Sequence, residues 1–135
     1  MPSNILARQG RISGVLCCWS AAAQFGLSNS YDNNWSYYAN VSSVVKSMPF
    51  TIFPFPNEPL QTTQKGKYTL TTPLQTVVDL VRWDCEVEFV LQALERWETW
   101  KGNLDEVWHE LNRLNLMQKY REDYEPYRNE WTDVI

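Results

Sequence analysis

Apolar and polar positions alternate in the stretch GKYTLTT, residues 66–72, and then recur at helical spacing. The alternation of Tyr68, Leu70 and Thr72 with their polar neighbours is typical of a half-buried strand. The apolar positions that follow are Leu74, Val77, Val78 and Val81, and their spacing predicts a helix. Thr72 can cap this helix, with Pro73 at its first position, where the missing N–H costs nothing. The pattern predicts a strand that leads directly into a helix.

The first half of the chain carries further strand and turn patterns. A helix is predicted over residues 15–25 with Gly26 as its C-terminal cap, and a strand near Trp35, Tyr37 and Ala39. Residues 51–55 predict a strand that Pro54 confines to a sheet edge or ends. Residues 41–48 fit a short helix or a strand. We expect the strand at residues 67–71 to pair with a stretch near residues 60–62 across Lys65 and Gly66.

The second half is helical by its apolar spacing. The first helix is predicted to end near Trp83, and Asp84 is predicted to cap a second helix. Residues 101–103 predict a break, after which Asn103 caps a third helix. We therefore expect one domain over residues 1–135: a flexible start at 1–14, a helix plus strands at 15–72, and helices at 73–135. The expected class is α+β, a small mostly antiparallel sheet packed against an N-terminal helix and a C-terminal helical bundle.

Charge divides the chain into two unequal halves. Residues 1–72 have five basic and two acidic residues, whereas residues 73–135 have seven basic and fourteen acidic residues, and the total is −4. Because phosphate contacts supply most non-specific affinity for nucleic acid, this chain is expected to bind nucleic acid poorly. The acidic half suits a basic protein partner, or a solvated helical face.

The residues with reactive side chains form no recognisable catalytic or metal-binding motif. Cys17, Cys18 and Cys85 give an odd count with two adjacent members, so they predict neither a disulfide framework nor a zinc site. His109 is the only histidine. Asp79 is the best candidate for a general base, but no carboxylate, Lys or His lies at a telling spacing. We therefore interpret Asp79 as a hydrogen-bonded polar residue anchored to a neighbouring backbone or Thr hydroxyl. We expect no enzyme activity, metal or cofactor, no membrane span, and a cytoplasmic location.

Aromatic residues are abundant in the C-terminal half, and the chain as a whole has 14% aromatic residues. They either pack the last segment onto the helices or form an exposed face, since interface cores are enriched in Trp and Tyr. Both interpretations stay open. The candidate partner-binding residues are Trp97, Trp100, Glu122, Asp123, Tyr124, Glu125, Tyr127 and Trp131.

Two segments resemble the AbiEi-type antitoxins of type IV toxin–antitoxin systems. One is LTTPLQTVVDL at residues 70–80, and the other is SAAAQFGL at residues 20–27, followed by NNWSYYAN at residues 33–40. The resemblance covers roughly residues 16–116. Family members begin with a winged-helix DNA-binding domain, for which the residues before Ser20 leave no room. The resemblance therefore implies the antitoxin-type C-terminal domain alone, with Thr72, Pro73, Thr76 and Asp79 as its structural motif.

Three functions follow as hypotheses. The first is a non-catalytic, antitoxin-like module that neutralises or inhibits a partner protein, either a toxin or a component of a defence system, by direct binding. The second is an anti-defence inhibitor from a phage or mobile element, for example an anti-CRISPR protein. The third is a transcriptional regulator, which the negative charge disfavours.

Overall fold

The computed structural model describes residues 14–29, 34–39 and 50–128 of the chain. The first half contains β1 (Val15–Leu16), α1 (Cys18–Gln24), β2 (Trp35–Tyr38), β3 (Phe50–Phe53), β4 (Thr62–Lys65) and β5 (Tyr68–Thr71). The second half contains α2 (Pro73–Arg82), α3 (Val87–Lys101), α4 (Asp105–Arg113) and α5 (Met117–Asp123), and residues 125–128 are also helical. The α+β class is confirmed. The predictions for residues 1–13 and 41–48 and for Trp131 lie outside the described residues, and the single-domain organisation stays a prediction.

The five strands form one sheet in the order β3-β2-β1-β5-β4. The pairs β1–β2 and β4–β5 are antiparallel, whereas β1–β5 and β2–β3 are parallel. The sheet is therefore mixed, and the prediction of a mostly antiparallel sheet is wrong. Among the described strands only β4 and β5 are joined by a short hairpin. The predicted hairpin is confirmed, but its first strand is Thr62–Lys65, not residues 60–62, so the turn follows Lys65. Parallel pairs need long crossover connections that leave no local signal. The edge position of β3, directly before Pro54, is confirmed.

The N-terminal helix is shorter than the sequence predicts because its first residues belong to the sheet. Val15 pairs with Tyr38, and Leu16 lies between Tyr37 and Leu70 in the centre of the sheet. α1 is then fastened to β2 by two serines. The Ser36 N–H donates to Ser20 Oγ at 2.9 Å, and the Ser20 N–H donates to Ser36 Oγ at 3.1 Å.

The junction of β5 and α2 forms as predicted. The hydroxyl oxygen of Thr72 accepts a hydrogen bond from the Gln75 N–H at 3.3 Å, and Pro73 is the first helical residue. α2 packs against α1, α3, α4 and α5. Because helices surround it on several sides, all residues from 75 to 81 are buried.

The caps of the later helices differ from the predicted ones. Asp84 does not cap α3; its backbone has a φ of 54°, and α3 begins two residues after Cys85 without a side-chain cap. Gly102 ends α3 at a φ of 84°, in the left-handed region that glycine adopts without steric cost. Asn103 Oδ1 accepts a hydrogen bond from the Asp105 N–H at 3.0 Å, although Leu104 is the N-cap residue by its position.

Two groups of buried side chains occupy the two faces of the sheet. Val15 and Tyr38 belong to the large core that the helices share. Leu16, Tyr37 and Leu70 belong to a separate, smaller cluster. This division follows from the strand geometry, because successive side chains point to opposite faces. The larger core places the end of α2 and the start of α3 against β2 and β3, where the candidate sites lie.

Candidate functional site

The predicted structural motif is a set of contacts at the start of α2. Besides the Thr72 cap, the hydroxyl groups of Thr71 and Thr76 lie 2.6 Å apart, and Thr76 Oγ1 donates to the Thr72 carbonyl at 2.8 Å. Thr71 and Thr76 are both completely buried, each 0% exposed. These bonds fasten the end of β5 to the first turn of α2, which is a structural role.

Asp79 lies in the middle of α2 and is completely buried. Its Oδ1 accepts a hydrogen bond from the Gln75 side-chain amide at 3.1 Å and lies 3.6 Å from Nε of Arg82. Its Oδ2 has no hydrogen-bond partner among the described residues. The expected anchor, a backbone group or a Thr hydroxyl, is therefore wrong: Gln75 and Arg82 of the same helix contact the carboxylate, and Tyr38 of β2 also stabilises its charged form.

Burial controls the protonation of Asp79. Loss of hydration raises the pKa of its carboxyl to about 6, although Tyr38, Arg82 and Gln75 act in the opposite direction. Arg82 also forms an ion pair with Glu58, and its backbone carbonyl accepts a hydrogen bond from Lys119 at 2.7 Å. Asp79 is thus buried next to contacts that join α2 to α5 and to the loop before β4. A group without access to solvent cannot take a proton from a substrate, so the arrangement disfavours Asp79 as a general base.

The three cysteines are free and buried. Burial raises the pKa of the Cys17 and Cys18 thiols, and a hydrogen bond to Cys18 together with burial raises that of Cys85. Cys18 Sγ also lies 3.9 Å from the Asp79 carbonyl oxygen. Because the thiolate is the nucleophile, thiols held protonated are poor nucleophiles. The three cysteines are therefore small core residues.

The predicted partner-binding residues divide into buried and exposed groups. Trp97 and Tyr124 are each 2% exposed, so both belong to the core and cannot form a contact surface. Tyr124 donates from its hydroxyl to the Cys85 carbonyl at 2.9 Å, and Lys101 Nζ lies 5.7 Å from the ring centroid of Trp97. In contrast, Trp100 is 48% exposed and Tyr127 is 51% exposed.

The acidic candidates lie at the surface or close to it. Glu122 and Asp123 are exposed at the end of α5, and Glu125 is half-buried. Among the described residues none of these three carboxylates has an ion-pair partner, although Glu122 accepts a hydrogen bond from Gln118 at 2.8 Å. These residues, with Trp100 and Tyr127, form what we call the C-terminal contact set.

A second feature, which the sequence analysis missed, is a pocket of about 260 Å³. Its lining includes Trp19, Asn34, Phe53, Trp83, Asp84, Cys85, Glu86 and Phe89. We call it the aromatic pocket. Its residues come from α1, β3, the α2–α3 loop and α3, so no local motif unites them. The only signal in the sequence is the high number of aromatic residues.

The rings of the aromatic pocket stand in two orientations. Trp19 and Phe89 are nearly parallel, at 24°, and Phe53 and Trp83 are nearly parallel, at 27°. The planes of Trp19 and Phe53 meet at 78°. Two hydrogen bonds hold the indoles: Trp83 Nε1 donates to Tyr38 Oη at 2.7 Å, and Trp19 Nε1 donates to the Asn34 carbonyl at 2.9 Å.

No group of side chains suited to hold a metal ion occurs among residues 14–29, 34–39 and 50–128. His109 is exposed on α4 beside a shallow pocket that includes Asp105, Glu106 and Glu110. The Glu110 carboxylate is bound by Arg113, which lowers its pKa, and by Gln61 at 2.9 Å. Glu110 is therefore engaged in a structural contact.

Comparison of the chain with models of known protein families, with curated proteins and with solved structures gave no match. Within the described ranges, none of the helices combines the length and the apolar character needed to cross a bilayer.

Proposed function

We propose that this chain is a non-catalytic protein-interaction module that inhibits a partner protein by direct contact, in the manner of an antitoxin. The observation that carries the proposal is the exposure of Trp100 and Tyr127, at 48% and 51%, in the acidic half of the chain. Large aromatic rings left in water are costly, and they supply much of the binding energy when a partner covers them.

Charge supports a basic partner. The C-terminal contact set adds Glu122, Asp123 and Glu125 to the two rings, without compensating ion pairs among the described residues. Unpaired surface carboxylates accelerate association with a positively charged partner and increase its dependence on salt. A toxin that binds nucleic acid or nucleotides presents such a surface.

The resemblance to AbiEi-type antitoxins supplies the class of partner. The segment at residues 70–80 carries that resemblance, and in this chain it is a capped strand-to-helix junction with structural contacts only. An antitoxin domain of this kind would act in the cytoplasm on a nucleotidyltransferase-like toxin. It would need no cofactor and no catalytic residue of its own.

The proposal is tested by neutralisation of a toxin in bacterial cells. A nucleotidyltransferase-like toxin is induced with and without this chain, and growth is measured beside binding of the two purified proteins. The double variant Trp100→Ser/Tyr127→Ser should lose neutralisation and bind at least about tenfold more weakly. The matched control is His109→Ser/Asn112→Ser, two exposed changes on the same half of the chain and outside the C-terminal contact set, which should retain both activities.

The net negative charge of the chain favours an anti-defence inhibitor over a transcriptional regulator as the second candidate function. An acidic protein can occupy a nucleic-acid channel of a defence complex, so an anti-defence inhibitor, such as an anti-CRISPR protein, is the second candidate. Restoration of phage growth in cells with an active CRISPR effector would favour it. A transcriptional regulator would instead bind duplex DNA with sub-micromolar, salt-sensitive affinity, which a net charge of −4 disfavours.

A further inference from the structure

We propose that the aromatic pocket is a binding site for an alkylated ammonium cation, such as a choline-type headgroup or a methylated lysine side chain. Its described lining contains no residue of the C-terminal contact set, so the inference goes beyond the proposed function and does not depend on it. The ring arrangement, the charge at the rim and the size of the pocket carry the inference.

The first argument is the arrangement of the rings. The face of an aromatic ring attracts a cation electrostatically, and cages of several rings recognise quaternary ammonium groups. The nearly parallel pairs Trp19/Phe89 and Phe53/Trp83 present rings in two directions, 78° apart between Trp19 and Phe53. Trp19 and Phe53 meet edge to face with ring centroids 6.0 Å apart, so rings of both stacks border the pocket in different orientations.

The second argument is the charge at the rim. Among the described residues, the charged ones that line the pocket are Asp84 and Glu86, both acidic and both exposed. Asp84 is partly neutralised by Lys119, whose Nζ lies 3.0 Å from Oδ1. Glu86 has no ion-pair partner in the described part of the chain. The rim therefore retains negative charge and disfavours an anion.

The third argument selects the kind of cation. An Arg side chain is recognised best by a free carboxylate that accepts two parallel hydrogen bonds. Here Glu86 offers a carboxylate and Asp84 is paired with Lys119, whereas four of the described lining residues are aromatic, so ring faces are the main contacts that the wall provides. An alkylated ammonium needs no hydrogen-bond acceptor and gains from ring faces. A volume of about 260 Å³ is enough for such a headgroup but lies below the range of sites for larger ligands.

The Glu86 side chain makes no hydrogen bond or ion pair with the described residues, although the Glu86 carbonyl accepts hydrogen bonds from the Phe89 and Val90 N–H groups. Glu86 occupies the N-cap position of α3, but its side chain makes no capping hydrogen bond. A carboxylate there is available for a ligand. Glu88 follows two residues later in the first turn of α3. It is also exposed and does not line the pocket, so it provides a matched control.

The test is titration of the whole chain with tetramethylammonium and choline, and with the uncharged carbon analogue of choline, 3,3-dimethylbutanol. Binding is followed by the indole N–H signals in NMR spectra, with those of Trp19 and Trp83 assigned by substitution. We expect both cations to shift these two signals and the neutral analogue to bind at least about fivefold more weakly, because a cation–π contribution depends on charge. Equal binding of the neutral analogue, or no shift with either cation at millimolar concentration, would overturn the proposal.

Two variants check that the cation occupies this pocket. Phe89→Leu keeps an apolar side chain but removes a ring, and should weaken choline binding about fivefold. Glu86→Gln should weaken it about twofold by removing a nearby charge, whereas Glu88→Gln should change it less. Unfolding by denaturant is measured for each variant, and retained affinity in a folded Phe89→Leu variant would contradict the proposal.

A peptide with trimethyllysine, compared with its unmethylated form and with choline, then identifies which source of the headgroup binds better.

Discussion

The side-chain amide of Gln75 donates a hydrogen bond of 3.1 Å to Oδ1 of Asp79, one turn further along α2. The second carboxylate oxygen of Asp79 has no hydrogen-bond partner among the described residues, and the residue is 0% exposed. The hydrogen bonds that the Asp79 carboxylate accepts inside the protein thus replace only part of its hydration in water. The charged form is disfavoured, and the stability of the fold becomes dependent on pH.

Asp79→Asn is expected to remove a pH-dependent loss of stability. The folded-state pKa of about 6 lies above the ordinary pKa of 3.8 for an aspartate, so the folded chain binds the proton more tightly than the unfolded chain. The Asp79 contribution therefore favours folding below pH 3.8 and is progressively lost as pH rises to 6 and beyond. Between about pH 5 and about pH 8, the wild type should lose about 1 kcal/mol relative to the variant.

The measurement is chemical denaturation of both proteins at several pH values. The exposed residue Asp123, changed to Asn, serves as the control and should leave the pH dependence unchanged. A parallel pH dependence of wild type and Asp79→Asn would show that the buried carboxyl does not titrate in this range.

The Thr72 cap is expected to contribute about 1 kcal/mol to stability. Thr72→Ala removes the hydroxyl that accepts from the Gln75 N–H, and typical losses at such positions are about 1 kcal/mol. Thr72→Ser should restore most of it, because serine offers the same acceptor. Thr99→Ala, which removes an exposed hydroxyl within α3, is a control with no expected loss, because alanine has the higher helix propensity. Equal unfolding free energies for all four proteins would contradict the capping role.

Local signals made the junction of β5 and α2 predictable from the sequence. Alternation, a capping threonine and a proline at the first helical position act within a few residues of one another. The two-residue strand Val15–Leu16 has no such signal, because its pairing with Tyr38, Tyr37 and Leu70 depends on distant residues. Apolar residues next to a helix therefore look like a continuation of the helix in the sequence.

Residue type alone could not separate core aromatics from exposed ones. Trp97 and Trp100 are three residues apart in α3, yet one is buried and the other is 48% exposed. The rotation of the helix decides between them, and that rotation is set by packing with other helices. The aromatic pocket is hidden for the same reason, since Trp19, Phe53 and Trp83 meet only in the folded chain.

The three thiols are expected to resist modification in the native protein. Their raised pKa values reduce the fraction of thiolate, and burial blocks access. A disulfide reagent such as Ellman's should react slowly with the folded chain and should titrate 3 thiols once the chain is unfolded. The variant Gln118→Cys adds an exposed thiol and should show one fast phase. A fast phase in the wild type would indicate that the reagent reaches Cys85 through the aromatic pocket.

Trp97→Ala and Trp100→Ala form a matched pair that separates packing from binding. Removing the buried Trp97 ring leaves a cavity in the helical core and should cost about 3 kcal/mol or more of unfolding free energy. Removing the exposed Trp100 ring should change that free energy by less than about 0.5 kcal/mol. The two substitutions are chemically identical and lie in the same helix, so helix propensity largely cancels in the comparison. Denaturant unfolding of both variants gives the free energies directly. Similar destabilisation by the two changes would mean that Trp100 packs against the core, and the contact surface of the proposed function would then lose its main aromatic residue.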